Sequence, residues 1–388
     1  MSTIRVGLLL EARYGYFRNI MRGVTRFAKP SKPWVIRNIV PGYEHLRPMV
    51  DWRPDGLIAQ LHSVQAAESL SALSIPVVNV GGAVHHEEFP KVRVDDHAVG
   101  RMAAEYYLEL GFQYFGFIGL SEVMYSSARE KGFSDVLESA GFSYSAIRDA
   151  AAPSPEAAQA TWDSKDEQIE TWLRDLPKPC AVFVASDTLC FYIAELCTDA
   201  KIPVPEEVAL LGVDNDELFC ELAFPKLSSI RVSGPEIGFQ AAALLEKMMN
   251  GTAPPKKPIL VPPVGVVTRQ SSDIVAIDDP DLSMAIRYIR THAFEPMSVN
   301  DILREIPISR RALEQRFRER LQRSPLAEIS RVRMDRAKEL LALTNLSMPE
   351  VAKQSGFSNA ERLSVVFKRK EGIAPSKYRD RFHNSRPK

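Results

Sequence analysis

No apolar run approaches the ~20 residues that a bilayer-crossing helix requires, so this 388-residue chain is not expected to contact a membrane. The first apolar stretch, Val6 to Leu10, is too short for a signal peptide and reads as a buried strand; a cytoplasmic protein is the expectation. Cysteine is scarce. Cys180, Cys190, Cys197 and Cys220 lie in mostly apolar surroundings without Cys-x-x-Cys spacing, which argues against a disulfide framework or zinc ribbon and for reduced core thiols. His85-His86-Glu87-Glu88 concentrates metal-type ligands, but neighbours on an extended segment point to opposite sides, so no metal site is expected. Missing too are a Gly-x-Gly-x-x-Gly turn after the first strand, a Walker loop and a Gly-x-Ser-x-Gly elbow. No cofactor and no catalytic residue are expected. Asp187 and Asp214 each end a predicted strand, where a carboxylate can act as an acid/base partner, bind hydroxyls or cap the next helix. Without a nucleophile, metal or cofactor loop, ligand binding without chemistry is favoured over a sugar-processing enzyme.

Charge is present but unevenly placed. Residues 281–388 hold 23 Lys and Arg against 13 Asp and Glu, whereas residues 1–280 hold 26 against 36. The formal zero is a cancellation between a basic C-terminal part and an acidic body, the distribution expected when one domain grips nucleic acid.

In the body, short apolar runs alternate with amphipathic stretches. Strands are predicted at Val6 to Leu10, Gly56 to Ala59, Val77 to Val80, Tyr114 to Ile118, Ala181 to Ala185 and Ala209 to Val213. Helices are predicted at Phe17 to Ala28, Val99 to Leu110, Arg129 to Ser139, Glu167 to Leu173, Leu189 to Ala200 and Pro235 to Met249. This alternation implies parallel sheets covered by helices, better divided into two Rossmann-like lobes than joined in one wide sheet. A ligand would then sit at the carboxyl ends of the strands. The first strand ends there in Glu11-Ala12-Arg13-Tyr14-Gly15-Tyr16, which brings charged and aromatic groups to the mouth of the cleft as ligand-binding candidates.

The basic part contains two helix-turn-helix patterns in tandem. One runs from Ser298 through a break at Pro307-Ile308 into Ser309 to Arg318; the other runs from Pro349 to Ser358 and on through Asn359 to Lys368. In each, a serine (Ser309, Ser358) stands where an N-cap should be, and Leu313/Phe317 or Leu363/Phe367 mark the buried stripe. That stripe leaves Arg311, Glu314, Gln315 and Arg318 of the first unit for base edges or phosphates, with Arg310, Arg316 and Arg320 on phosphate. In the second unit Asn359, Ala360, Glu361, Ser364, Val365 and Lys368 face the DNA, a weaker reading set suited to positioning and thymine-methyl contact.

The C-terminal part resembles the AraC/XylS-type DNA-binding domain through Val351-Ala352, Gly356-Phe357, Phe367-Lys368, Gly372, Pro375 and Tyr378-Arg379, with the helix Arg331 to Leu343 joining the units. Pro307 departs from that pattern by standing where a turn glycine is usual, as does Arg362-Leu363 in place of an aromatic-rich pair. The body resembles the LacI/GalR effector domain, which shares the periplasmic sugar-binding fold. That likeness is carried by Val94-Asp95-Asp96, Arg129 with Gly132-Phe133, Ala185-Ser186-Asp187, Ile202 to Glu206 and Leu211 to Asn215. With the first sheet expected to begin by residue 4, the usual N-terminal DNA-binding head of the LacI family is not expected here.

Together the resemblances imply a two-lobed periplasmic-binding-protein-like α/β effector and dimerisation body over 1–270, a linker over 271–280 and an all-α DNA-binding domain over 281–388. They imply polar sugar contacts from Arg129, Asp187 and Asp214 in the second lobe and from Glu11 and Arg13 in the first. The implied protein is a homodimeric, sugar-responsive transcription factor that binds double-stranded promoter DNA and meets RNA polymerase. An activator of pentose catabolism is the leading expectation, with D-xylose as a candidate effector; the alternative is a regulator or repressor answering another monosaccharide. The pairing of such lobes suggests Phe17 to Ala28 as a dimer face.

Overall fold

The computed structural model describes residues 4–28, 34–39, 49, 51–61, 64–83, 89–121, 123–148, 162–274, 276, 279–321 and 323–383. His85-His86-Glu87-Glu88 and Asp278 lie outside them. The first lobe is built on a parallel sheet of β1 (Ile4–Leu9), β2 (Trp34–Ile39), β3 (Gly56–Ala59) and β4 (Val77–Asn79), ordered β2-β1-β3-β4. The chain leaves through β5 (Val92–Val94) for the second lobe. There β6 (Tyr114–Ile118), β7 (Tyr144–Ile147), β8 (Cys180–Val184), β9 (Val208–Asp214) and β10 (Ser228–Arg231) run parallel. After β11 (Ile259–Val261), which pairs with β5, β12 (Gly265–Val267) joins β10 antiparallel to complete the order β12-β10-β9-β8-β6-β7.

The predicted strands are those buried on both faces. β3 and β8 are buried at every position, as helices on both sides of a parallel sheet require, and such strands read as continuous apolar runs. Edge strand β2 exposes Val35, Arg37 and Asn38, and β7 exposes Ser145 with its other residues half-buried, so both lack that signature. All four cysteines are buried and unpaired.

Two helix pairs give the body its stiffness. The helix Gly15–Phe27 crosses Gly234–Met249 in the first lobe, and Asp96–Glu109 crosses Met124–Ser139 in the second. Glycines set both approaches: in the first pair a Cβ on Gly238 would come within 1.9 Å of the Ile20 carbonyl oxygen, and in the second one on Gly100 would come within 1.8 Å of the Arg129 carbonyl oxygen. Helix backbones this close leave no room for independent sliding.

The C-terminal domain has two small cores. One gathers Leu282, Ile286, Ile289, Ile302, Leu313, Phe317 and Ile329; the other gathers Met334, Leu341, Val351, Leu363, Phe367 and Tyr378. The helix Pro325–Leu343 contributes to both, longer by about two turns than the Arg331 to Leu343 expectation because Ser324 caps it ahead of Pro325. In the first unit's turn no left-handed residue is used. Ile306 is extended ahead of Pro307 (φ −121°, ψ 126°), the conformation that a following proline imposes, which accounts for the missing glycine. The second turn does use the left-handed region, at Gly356 (φ +78°).

Candidate functional site

The carboxyl ends of the strands meet where the lobes touch. From the second lobe, Met124 and Tyr125 donate backbone N–H groups to the carbonyls of Ala83 and Gly82 in the first. From the first, the Gly15 N–H reaches Asp216 Oδ2 at 2.7 Å, and Arg18 adds an ion pair at 3.3 Å. A cross-lobe clamp therefore flanks the space into which the predicted ligand residues project.

Arg129 is buried at the polar hub of that junction. Its Nε donates to Asp96 Oδ1 at 2.9 Å, its Nη1 to the Ala185 carbonyl at 2.5 Å, and its Nη2 lies 3.7 Å from Asp214 Oδ1. The guanidinium also stands 4.8 Å from the Tyr125 ring centroid. Tyr125 and Arg129 are four residues apart on one helix and so share a face. That spacing is the signal for Tyr125, which no motif marks; Asp96 stands within Val94-Asp95-Asp96, a motif that assigns it no role of its own.

Asp214 reaches the same space from a strained backbone. It has φ 107° and Asn215 has φ 49°, conformations that cost on the order of 1–3 kcal/mol each. Burial pushes its carboxyl up to about 6, opposed by Arg129 and reinforced by Asp96 and Asp216. Asp96 is itself raised by burial and held back by Arg129 and Arg93.

Asp187 is placed differently. It is buried below the site, where it accepts hydrogen bonds from the Asp216 N–H (2.7 Å), the Ser229 hydroxyl (2.6 Å) and the Cys220 thiol (3.5 Å). The helix cap considered for it belongs to Ser186, which accepts from the Leu189 N–H. Asp187 thus orders the loop that carries Asp214 and Asp216.

Among the first-lobe candidates, Tyr16 donates to the Val80 carbonyl at 3.3 Å, and its phenol, raised by burial, sits in the field of Asp96, Asp214 and Arg129. Tyr14 is half-buried at the rim, and the exposed Arg13 lies 5.0 Å from its ring centroid and 3.7 Å from Glu11. Glu11 and Arg13 are therefore brought to the mouth and not to Arg129 itself.

On the first reading helix, Arg310–Leu321, the residues Arg310, Arg311, Glu314, Gln315 and Arg318 are exposed, and Leu313 and Phe317 are buried. Arg310 pairs with Glu314 at 3.0 Å and Gln315 donates to Glu319 at 2.8 Å, so both must exchange partners to touch DNA. The phosphate role expected of Arg316 needs correction. Its Nη1 is held by Asp279 and Asp281, both at 2.8 Å, fixing the reading helix to the domain's first helix, Pro280–His292.

The second reading helix is Ala360–Glu371. Its cap is Asn359 rather than Ser358: Asn359 Oδ1 accepts from the Arg362 N–H at 2.8 Å. Glu361 and Lys368 are exposed, Ala360 and Ser364 half-buried, and Val365 is 58% exposed, an apolar group held out toward solvent.

The linker is pinned to the second lobe. Ser271 Oγ donates to the Leu210 carbonyl, Tyr106 meets Thr268 and Ser272 through hydroxyls, and Asp279 caps the first helix of the basic domain.

Comparison with known proteins fits this arrangement. The XylR N-terminal domain matches residues 5–96, the periplasmic binding protein-like domain residues 104–272 and a helix-turn-helix domain residues 302–381. The xylose operon regulatory protein of Escherichia coli is 31% identical over 97% of both chains. The chain belongs to the xylose operon regulatory protein family. Its counterpart in Haemophilus influenzae is 29% identical over 97% of this chain and 98% of its own. A solved structure of the xylose-binding transcription activator XylR, 29% identical, superposes with a TM-score of 0.63 over 98% of each chain. As a member of this family, the chain is a sugar-responsive DNA-binding transcriptional regulator of xylose genes and not an enzyme. No helix among the described residues is long and apolar enough to cross a membrane.

Proposed function

We propose that this regulator is a cytoplasmic activator whose effector is D-xylose, bound between the lobes over 1–270 and read out through 281–388 across the linker 271–280. The observation that carries the reading is Arg129, buried yet braced by Asp96, Asp214 and Tyr125 at the lobe junction. A braced guanidinium donates in fixed directions, and with the Asp214 carboxylate it complements vicinal hydroxyls, while Tyr14, Tyr16 and Tyr125 supply apolar faces. Asp187 holds the loop beneath, and Glu11 and Arg13 gate the mouth. A thermal-shift series over pentoses and hexoses tests the ligand: D-xylose is expected to give the largest stabilisation, and a larger shift with another sugar would replace it as effector.

Because the ionised form of Asp214 accepts the hydroxyls, affinity is expected to be level above pH 7. It should weaken about tenfold per unit below the group's value of about 6. Calorimetric titrations at pH 5 and pH 7.5 that gave equal affinities would remove Asp214 from this role.

DNA reading is assigned mainly to the first unit. Arg311→Ala or Gln315→Ala is expected to cost about 1–3 kcal/mol on the specific site and little on random DNA, as base contacts do. Equal losses on both would make these residues phosphate contacts. In the second unit Val365 faces a thymine methyl, Lys368 a phosphate, and Asn359, Ala360, Glu361 and Ser364 position the helix.

We further propose a homodimer that recruits RNA polymerase. Exposed Leu218, Leu222 and Phe224 lie close in sequence on the second lobe and supply the apolar area an interface uses. The helix Gly15–Phe27, considered as a dimer face, packs its apolar side on Gly234–Met249, which leaves its polar side for contact with a second copy.

A further inference from the structure

The helix Asp96–Glu109 has one end in the effector site and the other in the DNA-binding domain. At its first turn Asp96 grips Arg129. Thirteen residues on, or about 20 Å at 1.5 Å per residue, the Glu109 carboxylate pairs with Arg331 Nη1 at 2.6 Å, and the Glu109 carbonyl accepts from Arg323 Nη2 at 3.2 Å. Arg323 and Arg331 flank the start of Pro325–Leu343, the helix shared by both reading units, and Arg331 is locked there by Glu328 and Asp335, both at 2.8 Å. The adjoining Leu110 carbonyl accepts from the Ala276 N–H of the linker at 3.0 Å.

Between its ends the helix cannot flex freely. Gly100 sits against the Arg129 carbonyl, and the Tyr107 hydroxyl donates to the Val182 and Ala209 carbonyls within the sheet (2.8 and 3.1 Å). A shift of Asp96 that follows Arg129 is therefore passed along the axis more readily than absorbed.

We infer that the helix Asp96–Glu109 transmits effector occupancy to the DNA readers through the Glu109–Arg331 junction. Glu109 and Arg331 act as coupling residues that touch neither ligand. The inference rests on Arg129 binding the sugar, as proposed above, but the junction can be tested with and without sugar.

In the full chain, the ratio of specific-DNA affinities with and without D-xylose measures coupling, for which values of about 5- to 150-fold are usual. Glu109→Gln is expected to bring that ratio to within about twofold of unity while D-xylose affinity stays within about twofold of the parent. Arg331→Lys, which keeps the charge but loses the fork, should retain part of the response and guards against a folding defect in the first variant. A parental ratio in Glu109→Gln overturns the inference. A sugar-independent arm uses Arg129→Lys without ligand: amide exchange over 325–343 should change in that variant and not when Glu109→Gln is added. If exchange responds equally in both backgrounds the junction does not transmit. If the exchange arm succeeds while D-xylose leaves DNA affinity unaltered in the parent, the coupling stands and the effector assignment falls.

Discussion

Replacing Arg129 with methionine is expected to abolish sugar binding and to destabilise the effector body by about 3–5 kcal/mol, the range for breaking a buried ion pair by removing one partner. Methionine fills similar volume, so the loss is electrostatic. Asp96 would keep its buried position with only Arg93 opposite, and Asp214 would lose the positive charge that opposes its burial. Both carboxyls are already raised by burial, and without Arg129 they rise further. The sign of the pH dependence follows. An acid whose folded value exceeds its unfolded value penalises folding once the pH has risen through the folded value, and the penalty fades as the pH falls toward the unfolded one. Denaturant titrations should therefore show the full deficit near pH 8 and a smaller one near pH 5. A deficit below about 1 kcal/mol at pH 8, or unchanged sugar affinity, would show Arg129 to be dispensable.

The lobes were legible because doubly covered parallel strands leave contiguous apolar runs, as at Cys180 to Val184 and Val208 to Val213. Edge strands such as Trp34–Ile39 carry mixed patterns and were missed. At the site, Arg129 and Asp214 could be named from their motifs. What they do there depends on Asp96, which topology brings to Arg129 from another helix, and on Tyr125 and Asp216, near neighbours in sequence whose residue types alone announce no role. The division of labour between Asp187 and Asp214 was also hidden, since both end strands; only the three donors around Asp187 set it apart as a loop anchor. In the basic domain the apolar stripes placed both reading helices, yet they say nothing of polar partners. Arg316 has the composition of a phosphate contact and the surroundings of a structural cross-link.

Phe367→Ala is expected to remove the second reader while leaving the first in place. Phe367 is fully buried, packs edge-on against Tyr378 at 5.2 Å between centroids, and shares its core with Leu363, Val366 and Leu341. Emptying that position costs about 3–5 kcal/mol, a large part of what so small a core can supply. The first unit has its own core around Phe317, and the two meet along one helix, with Ile329 in the first cluster and Met334 through Ala342 in the second. Loss should therefore be local. Amide protection is expected to fall across 348–383 and to persist across 282–321, and the DNA footprint should shrink to the half-site held by the first unit. The salt dependence of binding should flatten as the phosphate contacts of the second unit are lost. Protection lost equally from both units would mean instead that Pro325–Leu343 makes them one cooperative structure, so that any signal reaching that helix acts on both readers at once.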